Sequence, residues 1–222
     1  MKNRYFFALL LVAACMATAD AASAQDNTAG GVQVSSQTEQ RIAALVETPV
    51  IRSSLDHIRA MESPLHDDLI ELTEIPAPQF GEEKRGLRFA ELLREAGLAD
   101  VSIDAVGNVI GRRPGRSGSK VVAYVAHLDT VFPLETDVTV RVEGDTYYAP
   151  GVGDNTRGLV VILGVLRALE HNSIETDADI LFIGNVGEEG LGDLRGTKHL
   201  FRDGGPQIDS FIAVDGGDLE RI

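Results

Sequence analysis

Six side chains in this sequence could together manage a metal ion and a water molecule: His127, Asp129, Asp154, Glu188, Glu189 and Asp215. They come in four short polar clusters, each at or near the end of an apolar run. His127-Leu128-Asp129 follows Val121–Ala126 (VVAYVA), and Gly153-Asp154-Asn155 opens the apolar stretch Leu159–Leu169. Glu188-Glu189 follows Ile180–Val186 (ILFIGNV), and Asp215 follows Phe211–Val214 (FIAV). Singly, each has a plainer explanation. A histidine at a strand end is commonly an ordinary core or loop residue, and Asp154 suits a helix N-cap. Glu188-Glu189 in a glycine-rich loop fits a solvated turn, and Asp215 before two glycines fits another.

Together they point to metal chemistry. Imidazole and carboxylate suit zinc, and also manganese or cobalt, while a donor set without thiols indicates a catalytic rather than a structural site. Asp129 lies two residues after His127, on the same side of an extended chain, where a carboxylate can receive the second imidazole N–H. Two adjacent glutamates directly after a buried strand are costly unless a cation compensates them. Two metals sharing a bridging carboxylate would lower the pKa of water toward ~7, and a spare glutamate beside that water is a natural general base. Other schemes fare poorly. Gly151, Gly153 and Gly158 are spaced G-x-G-x-x-x-x-G, with an aspartate where a pyrophosphate would sit, so dinucleotide binding is discounted. There is no G-x-S-x-G elbow and no H-E-x-x-H.

The elements that must position these residues read as an α/β domain. Helical patterns cover Gln37–Glu47, Val50–Ala60 and Pro64–Glu74, and Ile75-Pro76-Ala77-Pro78 stops the third. In Gly81–Gly97, Phe89, Leu92, Leu93 and Ala96 recur at helical spacing with charges on the other face, and Gly97 suits a C-cap. Val101–Asp104 and Asn108–Gly111 read as short strands, and Arg112–Lys120 as a basic loop. VVAYVA reads as a central strand buried on both faces and ILFIGNV and FIAV as two more central strands, with a hairpin over Val138–Glu143 and Thr146–Tyr148 and a helix near Asp193–Phe201. Alternating strands and helices predict a largely parallel mixed sheet flanked by helices. Ligands of such sheets bind beyond the carboxyl ends of the strands, so one fold could place all four clusters along one rim.

At the N-terminus, Lys2 and Arg4, an apolar stretch from Tyr5 to about Met16, and Ala22-Ser23-Ala24 form a secretory signal pattern, so residues 1–24 are expected to be removed on export to the periplasm or medium. The single cysteine, Cys15, lies inside it, leaving the remainder without disulfides. Val12-Ala13-Ala14-Cys15 also resembles a lipobox, the alternative being a lipoprotein. Residues 25–62 read as a flexible leader followed by N-terminal helices, and 63–222 as the catalytic domain. With 44% hydrophobic and 24% charged residues the composition is that of a globular domain able to bury a core. Twenty basic residues against 34 acidic ones give a net charge of −14, which argues against nucleic-acid binding. No later apolar run reaches membrane-spanning length.

The ordered set AHLDTVFP (Ala126–Pro133), APGVGDNTRG (Ala149–Gly158), GEEGLGDLRG (Gly187–Gly196) and VDGG (Val214–Gly217) resembles the M20 family of zinc metallopeptidases and amidohydrolases, which includes peptidase T-like, carboxypeptidase G-like and acetylornithine-deacetylase-like enzymes. The resemblance runs from about Leu69 to the C-terminus. It implies two zinc ions, with His127 on one, Asp129 orienting that histidine, Asp154 bridging both, Glu188 as general base, Glu189 on the second metal and Asp215 completing the first. It also implies a cis peptide at Asp154–Asn155 and a small peptide or N-acyl amino acid as substrate. Members carry a further metal-binding histidine near the C-terminus and an inserted lid or dimerisation domain. His57, His66, His171 and His199 match no ligand position, His199 reading as a surface helix residue. The expectation is therefore the N-terminal catalytic portion of such an enzyme, ending before the lid, with a homodimer possible only where the lid is present. An inactive fragment is the alternative.

Overall fold

Apolar runs of this kind gain most when both faces of a strand are covered, and the computed structural model, which describes residues 34–216, covers two of them so, Val121–His127 and Asp179–Asn185. Four helices come first: α1 (Ser36–Val46), α2 (Pro49–Ala60), α3 (Glu62–Thr73) and α4 (Glu83–Glu95). Strands β1 (Asp100–Ile103), β2 (Val109–Arg113) and β3 (Val121–His127) follow, then the hairpin β4 (Arg141–Glu143) and β5 (Thr146–Tyr148). Helix α5 (Arg157–His171), strand β6 (Asp179–Asn185), the short helix α6 (Arg195–Leu200) and strand β7 (Ser210–Ala213) complete the order. The signal pattern, Cys15 and Gly217 lie outside the described residues. Among the described residues no helix is long and apolar enough to cross a membrane.

The main sheet runs β1-β2-β6-β3-β7. Strand β3 is parallel to both β6 and β7, whereas β2 is antiparallel to β1 and to β6. This is the expected mixed sheet flanked by helices. Alternate residues of the central strands feed two cores, as a period of two requires. Tyr124, Ala126, Ile180 and Phe182 pack with Phe89, Leu92 and Leu93 of α4 and Leu159, Ile162 and Leu166 of α5. Ala123, Val125, Leu181 and Ile183 face the other way, onto Leu200 of α6 and the partly buried Phe211.

Helix α4 ends as its sequence dictates. Gly97 takes φ 109°, and the Gly97 and Leu98 amides donate to the Arg94 and Leu93 carbonyls at 2.9 and 3.1 Å. Leu98 and Leu93 share the same core cluster, which completes a Schellman stop.

Four expectations shift. The run FIAV, expected as a central strand, forms the edge strand β7, which pairs only with β3 and is half-buried, with Ala213 exposed. Strand β2 runs on to Arg113, into what reads as a basic loop, because Arg112 and Arg113 pair in register with Leu181 and Ile180 of β6. The hairpin begins at Arg141 rather than Val138, since the Val140 amide is taken by the Glu74 carboxylate at 3.0 Å. The charges of α4 are also not all on its solvent face, because Glu82, just ahead of the helix, and Arg85 within it are buried.

Candidate metal centre

The sheet register assembles most of the site. His127, the last residue of β3, is paired with Asn185, the last residue of β6, which leads through Val186-Gly187 to Glu188-Glu189. Val125 pairs with Ala213, so two residues further along each strand His127 and Asp215 come level. The Val214 amide donates to the Val125 carbonyl at 2.7 Å and keeps that extension parallel. Three of the four clusters therefore share one rim because their strands run the same way.

Asp154 arrives from the turn before α5. Gly151 has φ 77°, and the Asp154–Asn155 peptide is cis, as expected from the motif. Asn155 anchors the turn: its side-chain amide donates to the Val214 carbonyl at 2.8 Å, and its Oδ1 accepts the Gly158 amide at 3.1 Å. A β-carbon at Gly158 would collide with that Asn155 side chain. One buried asparagine thus ties the Asp154 turn to the strand end that carries Asp215, a role the sequence does not display.

His127 Nε2 lies 2.9 Å from Asp154 Oδ1 and 3.5 Å from Asp215 Oδ1. Donor atoms of His127, Asp154 and Glu189 all lie within 4.8 Å of one another, a spacing one metal ion could span. The donor chemistry fits a divalent cation of the zinc, cobalt or manganese type: one buried imidazole and several carboxylates, two of which, Asp154 and Asp215, remain exposed.

Asp129 is fully buried and acts differently from the simplest expectation. His127 Nδ1 is 2.9 Å from the Asp129 backbone carbonyl and 3.6 Å from its carboxylate. The two carboxylate oxygens instead accept the backbone amides of Glu188 at 2.9 Å and Glu189 at 3.0 Å. Asp129 therefore both orients the histidine, through its carbonyl, and clamps the loop that carries the two glutamates.

Burial and close packing of charged groups shift the titration of the site. Burial pushes the Glu188 carboxyl above its ordinary value; the Asp215, Asp129 and Asp154 carboxylates add to this, and His127 opposes it. Burial likewise raises Glu189, with Asp154 next in importance. At His127 burial is the largest single influence and lowers the pKa, but Asp129 and Asp215 outweigh it and raise the imidazole to about 10. Beneath the site Arg85 is 1% exposed, and burial pulls it down to about 10 while Asp129 opposes. It donates to the Leu128 carbonyl at 2.8 Å and to Ile75 at 2.8 Å, fixing the backbone between His127 and Asp129.

All six residues singled out from the sequence thus lie at this rim. The remaining histidines do not join it. His57 and His171 stack on each other at 3.6 Å, and His66 packs on Tyr147. His199 is half-buried on α6 rather than a surface residue, its Nε2 3.9 Å from Asp104 Oδ2. Sequence reasoning missed Asn155 as an anchor, and Glu82, Arg85 and Arg195 altogether; their only signal is a charged residue inside an otherwise apolar or glycine-rich stretch.

Comparisons with known proteins agree with this geometry. The chain is 37% identical over 123 residues to a protein of Pyrococcus abyssi (strain GE5 / Orsay) provisionally named LysW-lysine/LysW-ornithine hydrolase, covering 55% of this chain and 33% of that one. It is 33% identical over 84 residues to carboxypeptidase G2 of Pseudomonas sp. (strain RS-16), covering 37% of this chain and 20% of the relative. The chain therefore spans a third or less of the length of these relatives. Its fold matches the crystal structure of a tripeptidase from Staphylococcus aureus subsp. aureus Mu50 with TM-score 0.57 and 27% identity, over 69% of this chain and 43% of that one. The family model described as peptidase family M28 matches residues 108–220, which include every residue of the rim and half of the chain. The chain belongs to peptidase family M28.

Proposed function

We propose that this chain carries the catalytic centre of a metal-dependent hydrolase of peptide bonds in small peptides, of M20 type, with Glu188 as general base. The observation that carries the reading is the convergence of His127, Asp154 and Glu189 within 4.8 Å, next to a glutamate whose basicity burial raises above the ordinary carboxylate value. The M20-type assignment is supported by the four ordered motifs and by the identity to carboxypeptidase G2. The small-peptide substrate is supported by the likeness to a tripeptidase. Hydrolysis of an N-acyl amino acid or another amide uses the same centre, and the relative named for LysW-lysine/LysW-ornithine hydrolysis favours that second reading.

His127, Asp154, Glu189 and Asp215 would hold the metal, with two ions, most simply zinc, matching the M20-type reading. The bound metal supplies Lewis acidity, which acidifies water and polarises a carbonyl. The protein's own residues do the rest. Glu188 accepts the proton of the attacking water and returns it to the departing amine. Asp129 holds the Glu188 amide and, through its carbonyl, the His127 ring, so base and ligand keep a fixed relation. Export with cleavage after Ala24 and a catalytic domain beginning near residue 63 belong to the same proposal.

The test is Glu188→Gln, which keeps size and shape but removes the charge and the base. In a form with measurable tripeptide hydrolysis, kcat is expected to fall by about 10²–10⁴-fold, with zinc content unchanged by elemental analysis. A kcat within twofold of the parent would remove Glu188 as the base.

A further inference from the structure

Gly187 precedes the two glutamates, and its surroundings are more constrained than a turn glycine needs. The Glu82 carboxylate, 3% exposed, accepts the Gly187 amide through Oε1 at 3.1 Å. The same carboxylate receives the Arg195 guanidinium on both oxygens, at 3.1 Å from Nη1 and 2.9 Å from Nη2. Arg195 closes the loop from the other side, its backbone amide donating to the Gly187 carbonyl at 3.1 Å. The Phe80 ring lies 4.8 Å from the guanidinium carbon and adds a cation–π contact.

Gly187 takes φ 60°, and a β-carbon there would collide with the Arg195 guanidinium. Gly192 is pressed against the backbone of Gly187, where its own β-carbon would come within 2.6 Å of the carbonyl carbon. The loop from Gly187 to Gly192 is thus seated on an ion pair. A bidentate Arg–carboxylate pair with both partners largely buried is directional, and removing one partner leaves the other uncompensated.

We infer that Glu82 and Arg195 form a positioning pair that sets the placement of Glu188 and Glu189, and through Glu189 the affinity of the centre for metal. Asp129 clamps the amides of residues 188 and 189, while Glu82 and Arg195 clamp residue 187, so three consecutive peptide units are held from opposite sides. Neither member of the pair is among the converging donors His127, Asp154 and Glu189. The inference rests on the proposed function for its consequence in turnover, but its consequence for metal affinity does not need a substrate.

The experiment compares the parent chain with Glu82→Gln, Arg195→Lys and Glu188→Gln, using Co²⁺ as the probe. Co²⁺ titrations followed by visible absorption are expected to show affinity weakened about 10–100-fold in Glu82→Gln, with an altered band shape. Arg195→Lys keeps the charge but not the fork, and is expected to fall between Glu82→Gln and the parent. Far-UV circular dichroism and thermal melts identify a variant that has merely unfolded, and Arg195→Lys, the milder change, keeps the comparison readable where Glu82→Gln does not fold. Folded variants with Co²⁺ affinity and spectrum within twofold of the parent would overturn the inference, even if their melting temperatures fell. Where tripeptide hydrolysis is measurable, Glu82→Gln is expected to lower kcat by 10–100-fold with KM within threefold. An unaltered kcat in Glu188→Gln together with weakened Co²⁺ binding in Glu82→Gln would sink the general-base reading and leave the positioning pair standing.

Discussion

At the scale of single residues, Asp129 has the most demanding position. Its side chain is wholly buried, yet both carboxylate oxygens accept backbone amides, those of Glu188 and Glu189. Burial, the largest influence, raises its pKa, but the His127 contact and the two amides outweigh that and hold it below the usual carboxylate range. An asparagine at this position has one acceptor oxygen and an NH₂ group, which would confront one of the two amides donor to donor. Leaving a buried amide unpaired costs about 1–3 kcal/mol. Asp129→Asn is therefore expected to lower the denaturant midpoint correspondingly and to reduce turnover by about 10–100-fold, as loss of partners behind metal ligands commonly does. Equal stability by urea unfolding would show that the 188–189 amides find other acceptors. The six candidate residues were legible because each stands at the end of an apolar run, where charge is conspicuous. Glu82 and Arg85 were not, because Glu82 is paired with residues 187 and 195 and Arg85 with the Leu128 carbonyl, all far away in sequence, and with the carbonyls of Thr73 and Ile75 across the Pro76–Pro78 turn.

At the scale of elements, parallel registration of β3, β6 and β7 is what turns four separate motifs into one rim, and its opposite end is pinned by Asp179. This first residue of β6 is 1% exposed, accepts the Gly115 amide at 2.7 Å and receives Arg112 Nε at 2.9 Å. The Gly115 amide, followed by Arg112, holds its carboxyl below the ordinary range. The Arg112 partner is more than half exposed and screened by water, so the backbone contact is the larger part of the stabilisation. A group with a depressed folded-state pKa stabilises the fold above its unfolded pKa and loses that contribution as pH falls through the folded value. Asp179→Asn is expected to cost about 1–2 kcal/mol at pH 7, and the gap to the parent should close as pH drops below about 4 in parallel denaturant titrations. A gap that persisted unchanged to low pH would mean that shape, not charge, matters at this position. The strands themselves were readable from continuous apolar runs. Their register was not, because both faces of β3 and β6 are buried and no alternation marks a facing side. The extension of β2 was hidden for another reason: Arg112 and Arg113 look like loop residues until Asp179 and Glu170 are opposite them.

At the scale of the whole molecule, the excess of 34 acidic over 20 basic residues becomes a question of local density. Asp129, Asp154, Glu188, Glu189 and Asp215 crowd around a single imidazole, and burial first, with the neighbouring carboxylates adding to it, displaces Glu188 and Glu189 upward. A divalent ion that binds this arrangement finds no counterpart in the unfolded chain, where the same residues are scattered over almost ninety positions from Asp129 to Asp215. Linkage then makes the metal a stabiliser of the fold. At free metal one hundred times the dissociation constant the gain is about 2.7 kcal/mol. For a domain of this size each kcal/mol moves the melting temperature by about 2–4 °C, so Zn²⁺ or Co²⁺ is expected to raise Tm by about 5–10 °C over the same chain in EDTA. Sodium chloride screens repulsion without occupying a site, so at equal ionic strength it should reproduce little of the shift. The double variant His127→Ala/Glu189→Ala removes two of the three converging donors and should abolish the metal-dependent part while leaving the salt response in place. A Tm that rises equally in that variant would assign the effect to diffuse neutralisation of an acidic surface, and the rim would then be a cluster of charges rather than a metal centre.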